Sequence, residues 1–326
     1  MPSLKILCLA SILMLITSCA KMALNTANGL ATLGSFHSAE ALPYGAAPLN
    51  QLDIHIPDNI HQNETRPVIV FFYGGCWGAC NTINKENHTF VAEFFTALGY
   101  ITVIPDYRRY PDHHFKDIMQ DAAKATEWVN HNIQQYQGDS NQIVLAGFSA
   151  GAHIASMLTL NEHYLSANTR QHIKGFIGLS GPYDFEINED YQRVVFGPVS
   201  AYPNSQPVNF VDGNEPPLLL LYGDNDTLVL PRNIQGLSQK VRQLEGEVTA
   251  RIYLGMDHVD MLSALSIPKR HPKILNDINQ FLNNILSKQH FQSASTKVKL
   301  EALTTIKKGT LYDFNKHHCT LCLTTH

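Results

Sequence analysis

The chain has 326 residues, of which 44% are hydrophobic and 16% are charged, and its formal net charge is −4 at pH 7. This composition suits a packed globular core, and the small negative charge without a basic stripe argues against a nucleic-acid partner. The regular central stretch of about 240 residues is large for one domain but normal for an α/β fold.

The N-terminus reads as an export signal. Residues 1–5 carry one positive charge, and residues 6–16 are apolar over the length of a signal peptide, shorter than the roughly 20 residues of a membrane-spanning helix. Residues 16–19 resemble a bacterial lipobox, whose cysteine is lipidated and becomes the first mature residue. This resemblance predicts a lipoprotein signal peptide over residues 1–18 and a lipid on Cys19, although ordinary secretion with an incidental cysteine also fits.

Lipidation would anchor the protein in the membrane of a bacterial cell envelope, and Ala20 favours the outer membrane by the same resemblance. Residues 19–42 are small and polar enough to be a tether, and the folded domain is expected over residues 43–288. Residues 289–326 are rich in Ser, Thr and Lys and predict a poorly ordered tail. Residues 317–322 hold two histidines and a CxxC pair but lack the second half of a structural zinc site, so no metal is predicted.

Strands and helices alternate between these ends. The predicted strands cover residues 68–72, 101–104, 143–146, 175–180, 218–222 and 248–254. The predicted helices cover residues 86–98, 117–135, 151–161, 232–244 and 271–286. Such alternation predicts a mostly parallel sheet with helices on both faces. Residues 181–215, rich in Pro and Tyr, interrupt the rhythm and read either as a lid or pocket-lining insertion or as a plain surface loop.

The first motif with chemical meaning follows the predicted strand at 143–146. Its sequence, Gly147-Phe-Ser149-Ala-Gly151, fits a nucleophile elbow. The backbone of such a turn is so tight that side chains two residues on either side of the serine would collide with neighbouring chain, and both positions are glycine. Ser149 is therefore the candidate nucleophile, and its hydroxyl needs a base and an orienting acid.

The acid and the base are predicted in the loops that follow the last two strands. Asp226 lies in a Gly-Asp-Asn-Asp loop and is the candidate acid, with Asp224 in the same loop as the alternative. His258 follows the last strand and is the candidate base, selected by position from sixteen histidines. Its neighbours Asp257 and Asp260 read as caps of the following helix.

An oxyanion hole is predicted after the first strand. Residues 73–78 read Tyr-Gly-Gly-Cys-Trp-Gly, and the glycines allow backbone amides to turn inward. A serine nucleophile also requires such a hole, because removal of one donor typically costs about 10²–10³ in rate. We assign the amides of Gly75, Cys76 and Ala150 to it.

Together these motifs resemble those of α/β-hydrolase esterases with a His-Gly-Gly-x-Trp loop. That group includes hormone-sensitive-lipase-like carboxylesterases, feruloyl-esterase-like enzymes and kynurenine-formamidase-like hydrolases. Ser149, Asp226 and His258 follow one another in the order in which this fold presents its triad. Residues 105–112 are similar to the Tyr-Arg-x-x-Pro-Glu segment of the family, and the resemblance covers about residues 48–286.

The resemblance implies an α/β-hydrolase fold and a serine hydrolase of small-molecule esters with short or medium acyl groups or of acetylated sugars, without metal or organic cofactor. Ser149 would attack the carbonyl, His258 would move the proton, and Asp226 would orient His258. An amidase, formamidase or peptidase with the same triad is one alternative. A non-catalytic module that binds the cell envelope is the other.

The chain departs from the family at Tyr73, where a histidine usually braces the oxyanion loop. The charged residues Asp106, Arg108, Arg109 and Asp121 read as a structural ion-pair network under that loop rather than as catalytic groups.

Two cysteines lie in the same loop. Their spacing and the oxidising compartment predict a disulfide between Cys76 and Cys80, which would restore bracing lost with the histidine.

Overall fold

The structure, a computed structural model, describes Met22 and residues 24–80 and 83–286. The predicted signal peptide, Cys19 and the predicted tail over residues 289–326, with its CxxC pair, lie outside the described residues. No helix within the described ranges is both long enough and apolar enough to cross a bilayer.

One eight-stranded sheet organises the described part of the chain. Its strands are β1 (Phe36–Pro43), β2 (Gln51–Pro57), β3 (Arg66–Phe72), β4 (Ile101–Pro105), β5 (Gly138–Phe148), β6 (Ile173–Leu179), β7 (Leu218–Gly223) and β8 (Val248–Tyr253). Their spatial order is β1-β2-β4-β3-β5-β6-β7-β8. β2 runs antiparallel to β1 and to β4, and the other neighbouring strands are parallel. The predicted mostly parallel sheet is confirmed.

Helices surround this sheet. They are α1 (residues 24–31), α2 (Thr89–Ala97), α3 (Phe115–Asn132), α4 (Ala150–Leu160), α5 (Ala167–Arg170), α6 (Asp190–Phe196), α7 (Arg232–Gln243), α8 (His258–Ser263) and α9 (Pro272–Ile285). Every residue of β3 and β4 is buried. Because successive side chains of a strand point to opposite faces, this unbroken burial means that both faces of the sheet are covered.

The stretch predicted as a tether is instead folded onto the domain. In α1, Ala27 and Ala31 are buried, and Asn28 Oδ1 accepts a hydrogen bond from Phe90 N at 3.1 Å. β1 pairs with β2 at the edge of the sheet. The tether prediction for residues 24–42 is therefore wrong. The sequence hid β1 because an edge strand exposes most of its side chains and so lacks an apolar run.

Residues 181–215 form a structured insertion between β6 and β7. They contain α6 and two short 3₁₀ segments, Val199–Ser205 and Pro207–Phe210. Val195 and Phe196 of α6 are buried. The segment is therefore packed against the domain. This packing disagrees with the plain surface loop that the sequence left open as an alternative.

The folding of α1 onto the domain predicts the effect of Asn28→Ala. Asn28 accepts from Phe90 N and also donates to Asn87 O at 2.9 Å, so the variant leaves two backbone groups beside α2 without their partner. We expect the free energy of unfolding in urea to fall by about 1–2 kcal/mol. The control is Thr32→Ala, because the exposed Thr32 hydroxyl donates only to Gly29 O nearby in sequence. Equal stability of both variants and wild type would mean that this stretch is a tether after all.

Candidate active site

Ser149 lies in a strained turn between β5 and α4. Its φ of 54° and ψ of −125° define a conformation that residues with a side chain rarely adopt. A Cβ at Gly147 would collide with Gly151 O, and a Cβ at Gly151 would collide with Phe72 O at the end of β3. Only glycine at these two positions lets α4 begin directly against the sheet.

The structure brings Ser149, His258 and Asp226 together. His258 Nε2 lies 2.9 Å from Ser149 Oγ, and His258 Nδ1 lies 2.7 Å from Asp226 Oδ2. Because the Asp226 carboxylate accepts the proton of Nδ1, the neutral imidazole keeps Nε2 as an acceptor for the serine hydroxyl. The arrangement can therefore take a proton from Ser149 and return it later.

The acidic neighbours of these residues have other partners. Asp224 Oδ1 accepts a hydrogen bond from Gly255 N at 2.6 Å, whereas Asp226 contacts His258. Asp257 is the N-cap of α8 and accepts from Asp260 N at 2.8 Å. This cap fixes the start of the helix whose first residue is His258.

Asp226 is buried, and its carboxylate oxygens accept hydrogen bonds from protein groups. Its Oδ1 accepts from Leu228 N and from Val229 N, each at 2.9 Å, while Oδ2 accepts from His258. Burial alone would raise the pKa of Asp226, but the hydrogen bonds from His258 and the Val229 amide outweigh it, and the pKa lies below its ordinary value. The carboxylate is therefore ionised at neutral pH and accepts the hydrogen of His258 Nδ1.

The loop after β3, residues 73–80, is called the oxyanion loop. Its backbone conformation is unusual. The φ angles of Gly75, Cys76, Trp77 and Gly78 are 106°, 53°, 55° and 109°. All four values lie in the left-handed region, which Cys76 and Trp77 adopt only where surrounding contacts hold them. A disulfide joins Cys76 to Cys80, and Gly78 N donates to Gly75 O at 2.9 Å. The loop is thus closed on itself.

Three amides were assigned to the oxyanion hole. Within the described ranges, the amides of Gly75, Cys76 and Ala150 donate to no other backbone group. Cys76 and Ala150 line the same cavity as Ser149, and Gly75 is not one of its lining residues. A Cβ at Gly74 would lie 3.0 Å from Ser149 Cβ, so glycine there allows the loop to approach the serine closely.

Tyr73 braces this loop at the position where the resemblance led us to expect a histidine. The Tyr73 hydroxyl donates to Asp106 Oδ1 at 2.6 Å and accepts from Arg109 Nη1 at 3.2 Å. Tyr107 Oη donates to Tyr73 O at 2.8 Å. The Tyr73 ring is stacked between the rings of His88 and Tyr107, with centroids 5.0 Å away on each side. Burial raises the pKa of Tyr73, so the hydroxyl keeps its proton and remains a donor to Asp106.

The charged residues below the loop have structural partners. Arg108 donates two hydrogen bonds of 2.8 Å to the fully buried carboxylate of Asp121. Asp106 also accepts from Lys85 N at 2.9 Å, and Lys85 Nζ forms a buried ion pair with Asp53 at 3.0 Å. Lys85 and Asp53 were not predicted from the sequence, because no spacing pattern links the first residue of a short 3₁₀ helix to a residue of strand β2.

A cavity of about 580 Å³ opens at Ser149 and His258. Its lining includes the apolar residues Trp77, Pro182, Phe185, Val229 and Leu230 and the polar or charged residues Glu186, Asn188, Glu189, Gln192 and Arg232. Several of these side chains come from the 181–215 insertion, which therefore lines the pocket. Across the described residues, no group of three or more His, Cys, Asp or Glu side chains is arranged to hold a metal ion.

One further residue beside the site was not singled out from the sequence. His153 lies four residues after Ser149, which places it one turn along α4, and its ring is fully buried. The i, i+4 spacing from the nucleophile was the signal that could have found it.

The chain is similar to known proteins in sequence and in structure. The BD-FAE family model matches residues 52–241. A probable carboxylic ester hydrolase, LipM, of Mycobacterium tuberculosis is 28% identical over 271 residues, which cover 76% of this chain and 60% of LipM. Isoprenylcysteine alpha-carbonyl methylesterase of Arabidopsis thaliana is 28% identical over 245 residues, or 68% of this chain and 56% of the methylesterase. The chain thus spans about three fifths of the curated relatives it matches.

Solved structures share the fold. A truncated carbohydrate esterase from gut microbiota has a TM-score of 0.66 at 19% identity, with 77% of this chain and 96% of that chain covered. The apo form of esterase 2 from Thermogutta terrifontis has a TM-score of 0.64 at 18% identity, with 78% and 97% covered. The sheet order and these neighbours confirm the expected α/β-hydrolase fold. The BD-FAE family model matches more than half of the residues of this chain, so the chain belongs to the BD-FAE family.

Proposed function

We propose that the protein is a serine hydrolase of carboxylic esters. The observation that carries this proposal is the hydrogen-bond chain from Ser149 through His258 to Asp226. A hydroxyl, an imidazole and an ionised carboxylate in this order form the constellation that activates a serine for acyl transfer. The names of LipM and of the plant methylesterase, both ester hydrolases, support the same class of reaction.

In the proposed mechanism, Ser149 Oγ attacks the ester carbonyl while its proton passes to His258 Nε2. Asp226 holds the ring and stabilises the imidazolium. His258 then gives the proton to the leaving alkoxide, and an acyl group remains on Ser149. A water molecule, activated by His258 in the same way, releases the acid.

The tetrahedral intermediate carries a negative oxygen, which needs donors that are already oriented. Cys76 and Ala150 line the cavity beside Ser149, and their amides are proposed as these donors. We retain Gly75 as a third donor of the same loop. Donors fixed by the backbone act without reorganisation during the reaction.

The cavity supports a small ester as substrate. Trp77, Phe185 and Leu230 give it apolar surface suited to a short or medium acyl group. Polar side chains on one wall, among them Asn188 and Gln192, are already hydrogen-bonded within the same segment, so this wall offers a preformed polar surface to the alcohol or sugar moiety.

The proposed nucleophile is tested by Ser149→Ala. We expect hydrolysis of a p-nitrophenyl acyl series, acetate to laurate, to fall at least about 10³-fold, because the nucleophile is gone. The control is Ser238→Ala, since Ser238 is buried on α7 and bonds only Gln235 O. Equal rates in wild type and Ser149→Ala would disprove the proposed nucleophile. Faster turnover of matched anilides than of esters would favour an amidase, and a folded wild type that hydrolyses neither would favour a binding module.

Two asparagine variants distinguish the roles of the loop aspartates Asp226 and Asp224. Asp226→Asn should lower kcat by about 10⁴-fold, because an amide no longer stabilises the imidazolium or selects its tautomer. Asp224→Asn should stay within a few-fold of wild type, because Asp224 bonds Gly255 N instead. A large loss in Asp224→Asn with an active Asp226→Asn would reverse the assignment.

We also propose that the protein is exported and anchored through lipid on Cys19, which rests on the N-terminal sequence. In a bacterial host, the protein should fractionate with membranes and give a lipidated N-terminal peptide by mass spectrometry. Cys19→Ala should lose both properties, since no other residue takes the place of the lipobox cysteine. Unchanged membrane association of Cys19→Ala would contradict the proposed anchor.

A further inference from the structure

A buried hydrogen-bond relay lies behind the oxyanion loop. The indole Nε1 of Trp77 donates to His153 Nδ1 at 3.1 Å, and His153 Nε2 donates to Ser205 O at 2.7 Å. His153 is fully buried, and Trp77 is only 3% exposed. The relay joins three segments of the fold, namely the oxyanion loop, helix α4 after Ser149, and the 181–215 insertion.

The partners fix the state of the His153 ring. An indole nitrogen can only donate, so His153 Nδ1 must be the acceptor, and a carbonyl can only accept, so Nε2 must carry the hydrogen. Burial lowers the pKa of His153 to about 4, which keeps the ring neutral at physiological pH. His153 therefore cannot exchange its two roles between Trp77 and Ser205.

Trp77 needs such support because of its backbone. Its φ of 55° lies in the left-handed region, which residues with a Cβ adopt only where the surroundings hold them there. Tyr110 N donates to Trp77 O at 3.0 Å and holds the main chain. The indole is held by Phe185, stacked at 5.7 Å, by Phe196, edge-on at 4.9 Å, and by His153.

We propose that His153 is a positioning residue for catalysis. Through Trp77 it holds the oxyanion loop in the left-handed conformation that leaves the Cys76 amide free at the cavity, and through Ser205 it ties this loop to the pocket-lining insertion. The inference rests on the proposed esterase function. It assigns His153 no contact with substrate.

Two variants with an amide side chain, His153→Asn and His153→Gln, each keep one of the two hydrogen bonds of His153 and remove the other. In His153→Asn the side-chain oxygen can take the place of Nδ1, so the bond to Trp77 survives and the bond to Ser205 O is lost. In His153→Gln the side-chain nitrogen can take the place of Nε2, so the bond to Ser205 O survives and Trp77 loses its acceptor. His153→Phe fills the space and lacks both functions.

The test measures kcat and KM for p-nitrophenyl esters together with the melting temperature. We expect kcat to fall about 10–100-fold in His153→Gln and His153→Phe, less than the loss of an entire oxyanion donor, with KM within about threefold of wild type. His153→Asn should recover most of kcat. A purely structural histidine would give losses that follow the melting temperature rather than the bond to Trp77.

Trp77→Phe tests the same bond from its other end and keeps the buried histidine. The double variant Trp77→Phe/His153→Phe should be no slower than Trp77→Phe alone, because both changes break one interaction. Multiplied losses, or kcat within twofold of wild type in a folded His153→Phe or Trp77→Phe, would overturn the proposal. An inactive wild type would instead reject the esterase function, so the two failures are distinguishable.

Discussion

The close contact between Gly151 and the end of β3 is the constraint on which the site depends. Helix α4 can begin at the edge of the sheet only because the Cα of Gly151 meets Phe72 O with no side chain between them. That approach forces Ser149 into its positive φ and lifts its hydroxyl out of the strand. Ala150 is the first residue of α4, so its amide, like the first amide of any helix, has no helical partner, and it lies beside the serine.

The oxyanion loop also holds an unfavourable backbone conformation, but other contacts stabilise it. Its left-handed residues are unfavourable outside glycine, so the loop needs external support. Tyr73 gives it this support through a hydroxyl that reaches Asp106 and through a ring held between two others. The Cys76–Cys80 disulfide closes the loop from the opposite end. A tyrosine can therefore stand where a histidine is usual, because the surrounding network is built around its longer reach.

The sequence predicted six of the eight strands, including the edge strand β8, and missed β1 and β2. β2 is buried, but the polar residues Asp53 and His55 interrupt its apolar residues, so it shows no continuous apolar run. Strand β7 is a run of leucines because both of its faces are covered, and such a run is visible without a structure. β1 escaped prediction because an exposed edge strand carries no such run. At the site, Ser149 and His258 were predictable because strand ends of a parallel sheet converge. The choice between Asp226 and Asp224 depended on how one short loop folds, and the partners of Lys85 and Tyr73 depended on contacts between segments distant in sequence.

Helix α4 connects the nucleophile elbow with the oxyanion loop. Its first turn carries Ala150, and its second carries His153, which bonds Trp77 of the oxyanion loop. A helix closed by regular hydrogen bonds and buried along its whole first half is rigid. The serine before it, the amide at its start and the support of the opposite donor are therefore held in one frame. Because the pocket-lining insertion is bonded to the same histidine through Ser205 O, the walls of the cavity are fixed relative to the reacting atoms as well.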